Sequence, residues 1–470
     1  MQYENCSPGT PVRKERLMRT NTPIYDFVTE YMGKNMSRLH MPGHKGLGML
    51  GCEARDITEI AGADDLFHCS GIIAESERIA SRLFGSACTL YSTEGSTLAM
   101  KAMLRLAMLY SYRPGHRFRV LAARNVHTGF VHACALLDFD TEWLYGEEPD
   151  SLIRCLITPA GLRKALDEME EKPDAVYVTS PDYTGAMADI RGLAEVCHEQ
   201  NILLLADNAH GAYLRFLPES LHPIDLGADM CCDSGHKTLP VLTGGAYLHI
   251  SDRMKERYGD LYHDAKKAMA LFASTSPSYL ILQSLDLCNA YLSGDFREQL
   301  NDACIRVKAV KEELDHAGIQ TYLHEPLKLL VNCASFGMSG TETASYLRSR
   351  HIECEYADRY DLVLMITPQN NSRDLARLKD ALISLAENKT AGEHDYPVMP
   401  RPIRVCSIRE AILAPSETIP VKQASGRICA SPSVSCPPAV PVAVSGELLT
   451  EEILNAMKWY GITEIDVIKQ

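Results

Sequence analysis

The sequence predicts an α/β protein whose main sheet is largely parallel. Two observations predict it. From about residue 75 onward, short apolar segments of strand length alternate with stretches of helical periodicity, the order that gives a parallel sheet covered on both faces. Chemically active side chains then fall at or just beyond the ends of those segments, at Ser92 to Thr97, His127 and Asp207. In open α/β sheets ligands bind at the carboxyl ends of the strands.

The elements follow in order. Residues 1–60 read as an irregular N-terminal segment, with a turn-rich stretch LHMPGHKGLGML at 39–50 that holds too many helix breakers to be helical. Strands are expected at 87–92, 118–127, 142–145, 175–180, 202–207 and 244–250. Helices are expected at 97–110, 157–171 and 190–200. A long helical region, 278–292 and 306–318, leads out of this large domain (61–300). A smaller α/β domain (301–392) follows, with the strands KLLVNCASFG and DLVLMITP and the helix RDLARLKDALISLAEN. The Pro-containing stretch 393–404 reads as a linker, and 400–470 as a small appended domain of strands or loops and one helix.

Composition bounds the function. At 470 residues the chain holds about three domain-sized units, and 46% apolar residues support a large core. The net charge is −14 and no block of Lys and Arg forms a phosphate track, so nucleic acid is not an expected partner. No apolar run reaches about 18 residues, so no transmembrane helix is expected, and the N-terminus lacks the apolar stretch of a secretory signal. The sixteen cysteines are scattered, with no C-x-x-C pair. They read as buried thiols of a reducing, cytoplasmic compartment and not as a disulfide framework or a metal site.

The chemistry is concentrated around Lys237, in DMCCDSGHKTLPVLTGG at 229–245. Upstream, ILLLADNAHGAY ends an apolar strand on Asp207. An acid closing one strand and Ser-x-His-Lys closing a later one are what a pyridoxal phosphate site requires. The lysine amine forms a Schiff base with the aldehyde, and the carboxylate keeps the pyridine nitrogen protonated. In STEGSTLAM (92–100), Gly95 permits a tight turn, and the helix start with Ser96 and Thr97 offers a seat for a dianion. Ser234 adds a hydroxyl from the lysine loop. His127 is positioned to stack on the cofactor and meet the substrate. Ala209, two residues past the Asp, returns to the same face and leaves room for a flat ring. His210 reads either as a core histidine or as a cofactor contact.

These segments resemble the prokaryotic Orn/Lys/Arg decarboxylase family of fold-type I, aspartate aminotransferase-like enzymes. The resemblance rests on LHMPGHKG, ADDLFHCSGIIAESERIASRLFGS, STEGST, RNVH, SPDYTG, DNAHGAYLRFLP, SGHKTLPVLTGGAYLH, STSPSY and APSETIPVKQASGRICA, which span most of the chain in the family order. It is similar to the short form without an N-terminal wing domain. The resemblance implies a pyridoxal phosphate large domain, a small domain and the family's C-terminal α+β domain. It implies Lys237 as the Schiff-base lysine beside His236, Asp207 on the pyridinium, Ala209 and His127 on opposite ring faces, and Ser96, Thr97 and Ser234 on the phosphate. Ser274 and Thr275 of STSPSY would reach the phosphate of a neighbouring subunit, which implies a homodimer with shared sites. The expected reaction is decarboxylation of arginine, lysine or ornithine, a step toward polyamines, with Lys237 or His236 returning a proton to Cα. Asp64, Asp65 and Glu447 are the carboxylates available for the basic end of the substrate.

Some positions depart from the family pattern: Glu94 for Asn, Thr128-Gly129 for Lys-Ser, Asn208 for Glu, and TGGAYLH for TQ-x-S-x-LH. Two alternatives follow. One is a different fold-type I reaction, an aminotransfer with Arg348, Arg350 or Arg359 gripping the α-carboxylate, or an elimination. The other is a homologue that binds the cofactor without turnover.

Overall fold

A computed structural model describes residues 21–146, 155–322, 325–387, 391–392, 401–434 and 439–469. The first elements are the helices α1 (Pro23–Gly33) and α2 (Ile72–Phe84). The main sheet then runs through β1 (Cys88–Ser92), β2 (Arg119–Ala123), β3 (Asp140–Leu144), β4 (Ala175–Thr179), β5 (Leu203–Asp207), β6 (Met230–Asp233) and β7 (Ala246–Ile250). Its spatial order is β1-β7-β6-β5-β4-β2-β3. β3, β2, β4, β5 and β6 pair in parallel, and β7 is antiparallel to both β6 and β1. Tyr177 and Val178 show how the strands divide the core. Alternate residues of a strand face opposite sides, and these two enter different apolar clusters.

Helices cover both faces. α3 (Gly95–Tyr110) and α4 (Thr128–Leu137) pack on one side, α5 (Pro159–Glu168) and α6 (Ile190–Glu199) on the other. α7 (Gly235–Thr238) is a single turn after β6, followed by α8 (Asp252–Tyr258) and α9 (Tyr262–Ala270). α10 (Tyr279–Ser293) and α11 (Phe296–His316) carry the chain to a four-stranded sheet of order β10-β11-β9-β8. Its strands are β8 (Thr321–Tyr322), β9 (Lys328–Asn332), β10 (Tyr356–Ala357) and β11 (Asp361–Met365), all antiparallel, packed with α12 (Gly340–Ser349) and α13 (Ser372–Ala386). The last part holds α14 (Ile408–Leu413), β12 (Ser416–Pro420), β13 (Ser433–Val434), β14 (Pro441–Ala443), α15 (Glu451–Trp459) and β15 (Glu464–Ile468). Tyr91, Tyr177, Tyr213, Tyr247, Tyr279 and Phe84 are fully buried, and each such side chain contributes about 1.5–3 kcal/mol.

Two expectations are corrected. The segment 1–60 is not irregular throughout, because α1 lies within it. Thr22 provides no side-chain cap. Instead, Asp286 Oδ2 on α10 accepts the Ile24 and Tyr25 amides, both at 2.9 Å, a cap from 262 and 261 residues away that no local pattern announces. The strand expected at 118–127 stops at Ala123, since Arg124 turns to bond the carbonyls of Pro441 and Val442. The expected linker lies outside the described residues up to 400. No described helix is long and apolar enough to cross a membrane.

Candidate active site

The carboxyl ends of β2, β4, β5 and β6 open on a cavity of about 300 Å³. Gly95, Ser96, Thr97, His127, Asp207, Ala209, His210, Ser234, His236 and Lys237 all line it. The sequence therefore names ten residues that the fold brings to one place from four separate segments.

Local structure explains how each is held. Gly95 has φ +73° and its amide donates to the Gly244 carbonyl at 2.7 Å, so the turn into α3 takes a left-handed conformation that suits glycine. The start of α3 has no side-chain cap, which leaves its amides for an anion. Ser234 Oγ donates to Ser96 Oγ at 2.7 Å, joining the lysine loop to this turn. His127 caps α4: its Nδ1 accepts the Gly129 amide at 3.0 Å. That bond fixes the ring and puts the proton of the neutral form on Nε2, and burial pushes its pKa down. A Cβ at Gly129 would lie 3.1 Å from Nδ1, so the glycine in place of the family's serine keeps the cap uncrowded.

Asp207 is 2% exposed. Its carboxylate accepts from Tyr177 Oη and from the Ala209 amide, both at 3.2 Å. Asn208 Nδ2 donates to Asp233 Oδ1 at 2.7 Å, and Asp233 Oδ2 lies 3.0 Å from His222 Nε2 and 3.2 Å from His249 Nε2. A glutamate at 208 would set a second anion against Asp233, so the asparagine is matched to its neighbour. His222, Cys231 and Asp233 have ligand atoms within 4.8 Å of one another, but Asp233 already bonds both histidines and these groups are satisfied without an ion.

Lys237 lies on the single turn α7, and desolvation pushes its amine below the usual lysine value. His236 Nδ1 is 3.2 Å from the Gly245 carbonyl. A carbonyl only accepts, so Nδ1 carries the proton. His210 Nε2 lies 3.0 Å from Lys237 Nζ, which makes it a partner of the lysine.

Other expected residues lie elsewhere in this protomer. Asp64 accepts the amides of Ser70, Gly71 and Ile73, and Asp65 those of Phe67 and His68. Glu447, 2% exposed, accepts the Val444 amide at 2.7 Å and pairs with Arg124 at 3.4 Å. None of the three lines the cavity. Nor do Ser274 and Thr275. The Ser274 amide donates to Glu94 Oε1 at 2.8 Å, which turns the Glu94 charge away from the anion seat. Arg348 pairs with Glu353, while Arg350 and Arg359 lie over Tyr346 and Tyr360.

Sequence reading missed Asn125, Thr179, Tyr183 and Glu355, all in the lining. Asn125 and Tyr183 sit in RNVH and SPDYTG, where closer attention to the motif would have found them. Glu355 precedes β10 in the second sheet and carries no local signal.

The cavity suits pyridoxal phosphate. Asn125 Oδ1 and Thr179 Oγ1 are buried in its wall without a protein partner, polar atoms that a ligand would satisfy. The same lining offers an uncapped helix start with hydroxyls and a buried carboxylate, as a phosphate and a ring nitrogen require.

Known proteins agree. A family model described as "Orn/Lys/Arg decarboxylase, major domain" matches residues 22–322. The chain is 29% identical to an arginine decarboxylase of Bacillus subtilis over 468 residues, covering 92% of each. It is 28% identical to an arginine decarboxylase of Bacillus anthracis, covering 94% of each. In fold it is similar to the lysine decarboxylase of Francisella novicida (TM-score 0.79, 16% identity, 95% of this chain and 81% of that one) and to the constitutive lysine decarboxylase of E. coli (TM-score 0.76, 17% identity, 96% and 82%). With the large-domain match spanning most of the chain and the fold that of fold-type I enzymes, this protein belongs to the pyridoxal phosphate-dependent Orn/Lys/Arg decarboxylase family.

Proposed function

We propose that this protein decarboxylates a basic L-amino acid, arginine, lysine or ornithine, to its amine and CO₂, with Lys237 as the cofactor lysine. The observation that carries the reading is the meeting of Lys237, Asp207 and His127 in one cavity whose lining also holds an uncapped helix start. Bound there, pyridoxal phosphate supplies an aldehyde that captures amines and a ring that accepts the electrons of a breaking bond. Lys237 provides the amine that tethers it. Asp207 holds the proton on the ring nitrogen. Ser96, Thr97, Ser234 and the α3 amides bind the phosphate. His127 presents a ring face fixed by its Gly129 bond, and Ala209 leaves the opposite face open. Lys237 or His236 returns the proton to Cα after itself taking one up, since burial holds both toward the neutral form. Neutral His236 has its proton on Nδ1, turned to Gly245, so its donor would be Nε2.

Among the described lining residues there is no arginine, the grip that aminotransfer needs on the substrate carboxylate. Glu94 and Asn208, the departures that suggested lost catalysis, are engaged by Ser274 and Asp233. Glu355 is, among the described lining residues, the one carboxylate besides Asp207, and it replaces Asp64, Asp65 and Glu447 as our choice for the substrate's distal cation. The decisive experiment offers the protein arginine, lysine and ornithine with pyridoxal phosphate and identifies products by mass. An amine is expected, and Lys237→Ala is expected to lose the visible absorbance of tethered cofactor and at least about 10³-fold in rate. Keto acid as the product, or turnover surviving in Lys237→Ala, overturns the reading.

We place the enzyme in the cytoplasm, in polyamine formation. Every described cysteine is a free thiol, in keeping with a reducing compartment. The domain division proposed is 1–60, 61–300, 301–392 and 400–470. A homodimer is supported by the exposed apolar stretch Leu39, Met41, Leu47, Met49 and Leu50, too much apolar surface to leave in water without a partner. In that dimer Ser274 and Thr275 would serve the neighbour's phosphate.

A further inference from the structure

Three basic side chains are linked in a row, two of them in the cavity lining. His210 has Nε2 3.0 Å from Lys237 Nζ and Nδ1 3.2 Å from Lys328 Nζ. Lys328 opens β9 in the second sheet and is 1% exposed. Its Nζ also donates to the Asp182 carbonyl at 3.2 Å and lies 3.9 Å from Glu325 Oε1. Glu325 in turn accepts from Tyr213 Oη. Capture of a cofactor by Lys237 does not by itself call for a second buried lysine, so the row requires its own account.

The account comes from counting protons. Neutral imidazole has one N–H and one lone pair, and imidazolium has no lone pair at all. His210 stays neutral, since burial and the lysines on both sides push its pKa well down. It can therefore accept from one lysine only, and must donate to the other. An amine that accepts a hydrogen bond is a free base. Lys328 holds the charged role, because the Asp182 carbonyl needs a donor and Glu325 needs a cation. Lys237 has no hydrogen bond to a carbonyl or carboxylate among those described; its partner is His210. The Lys328 ammonium thus donates to Nδ1, which sets the proton of His210 on Nε2, pointing at the Lys237 lone pair.

We propose that Lys328 is a positioning residue that holds the Lys237 amine in its neutral, nucleophilic form by fixing the tautomer of His210. The proposal rests on the reading of Lys237 as the cofactor lysine. Condensation of an amine with an aldehyde forms a C=N bond, releases one water and needs the amine lone pair; an ammonium must first lose a proton. The surroundings of Lys237 do not all act in one sense. Asp207 on β5, Glu355 before β10 and Cys232 on β6 favour the ammonium, and desolvation opposes it. His127 and His236 also face this region, both held toward neutrality by burial. Around Lys328, Glu325, Asp182 and Glu355 favour the ammonium against desolvation and the repulsion of Lys237. The His210 bond decides the balance.

The test uses the full-length protein stripped of cofactor. Pyridoxal phosphate is added across a pH series, the C=N bond is reduced with borohydride at timed intervals, and the Lys237 peptide is quantified by mass. The wild type is expected to capture with a midpoint well below about 10.4, the ordinary lysine value. In Lys328→Met the freed Nδ1 can take the proton, Nε2 accepts from protonated Lys237, and the midpoint rises by about one pH unit or more. That is roughly a tenfold slower capture near neutral pH. An unchanged midpoint in a folded Lys328→Met protein overturns the proposal. A measurement on the wild type covers the case in which the variant does not fold. Nitrogen-15 NMR of histidine-labelled apoprotein should show His210 as the Nε2–H tautomer, and the Nδ1–H form would overturn it. Absence of any label at 237 in the wild type would instead defeat the reading of Lys237 itself.

Discussion

Glu355 reaches the cavity from outside the large sheet and accepts from Tyr183 Oη at 2.9 Å, so its carboxylate is held in place before any substrate arrives. A hydrogen bond to a charged group contributes about 1.5–3 kcal/mol, which is about tenfold or more in affinity. Glu355→Gln should therefore raise KM for the preferred basic amino acid by about tenfold while kcat changes little, as steady-state kinetics would show. A KM that does not move excludes Glu355 from substrate binding. The motif residues Asp207, His127 and Lys237 were legible because each carries its chemistry beside a strand end in its own segment. Glu355 and Lys328 were not. Lys328 stands in KLLVN, where a lysine opening an apolar strand looks like an edge residue, and only tertiary folding turns it inward. The carboxylates chosen from the sequence lie outside this protomer's cavity for a related reason. A peptide amide or an arginine can claim an acid as readily as a substrate can, and Asp64, Asp65 and Glu447 were claimed.

Among the elements, α1 depends on α10. Asp286 caps it with one oxygen and accepts from Ser76 Oγ at 2.5 Å with the other. Burial pushes this carboxyl up to about 7, against about 4 in an unfolded chain. A native acid of raised pKa keeps its proton where the unfolded chain has released it. The contribution is thus fully present below about pH 4, declines as pH rises, and is lost by about 7. Thermal melts between pH 4 and 8 should show this slope, and Asp286→Asn should flatten it, since an amide still accepts both backbone bonds and cannot ionise. An equal slope in the variant would mean that other groups set the dependence. The alternation of strands and helices was readable from periodicity, and so was the mainly parallel sheet. The helix α1 was hidden because its cap is supplied by a distant element, and the end of β2 because Arg124 is drawn off by the C-terminal part.

At the scale of the whole molecule, the exposed stretch 39–50 is what motivates the proposed second copy. The wild type is expected to sediment at twice the chain mass, and Met49→Asp with Leu50→Asp to move it toward the single-chain value with loss of turnover. A wild-type monomer with full activity would dispose of shared sites. The division of labour between the two sheets has a further consequence. Lys328 belongs to β9 and His210 follows β5, so their bond spans the seam between the sheets. A hydrogen bond lapses once its heavy atoms part beyond about 3.5 Å. A parting of the two sheets by little more than a bond's slack would break that link and, on the proposal above, let Lys237 take a proton and slow its capture of the cofactor.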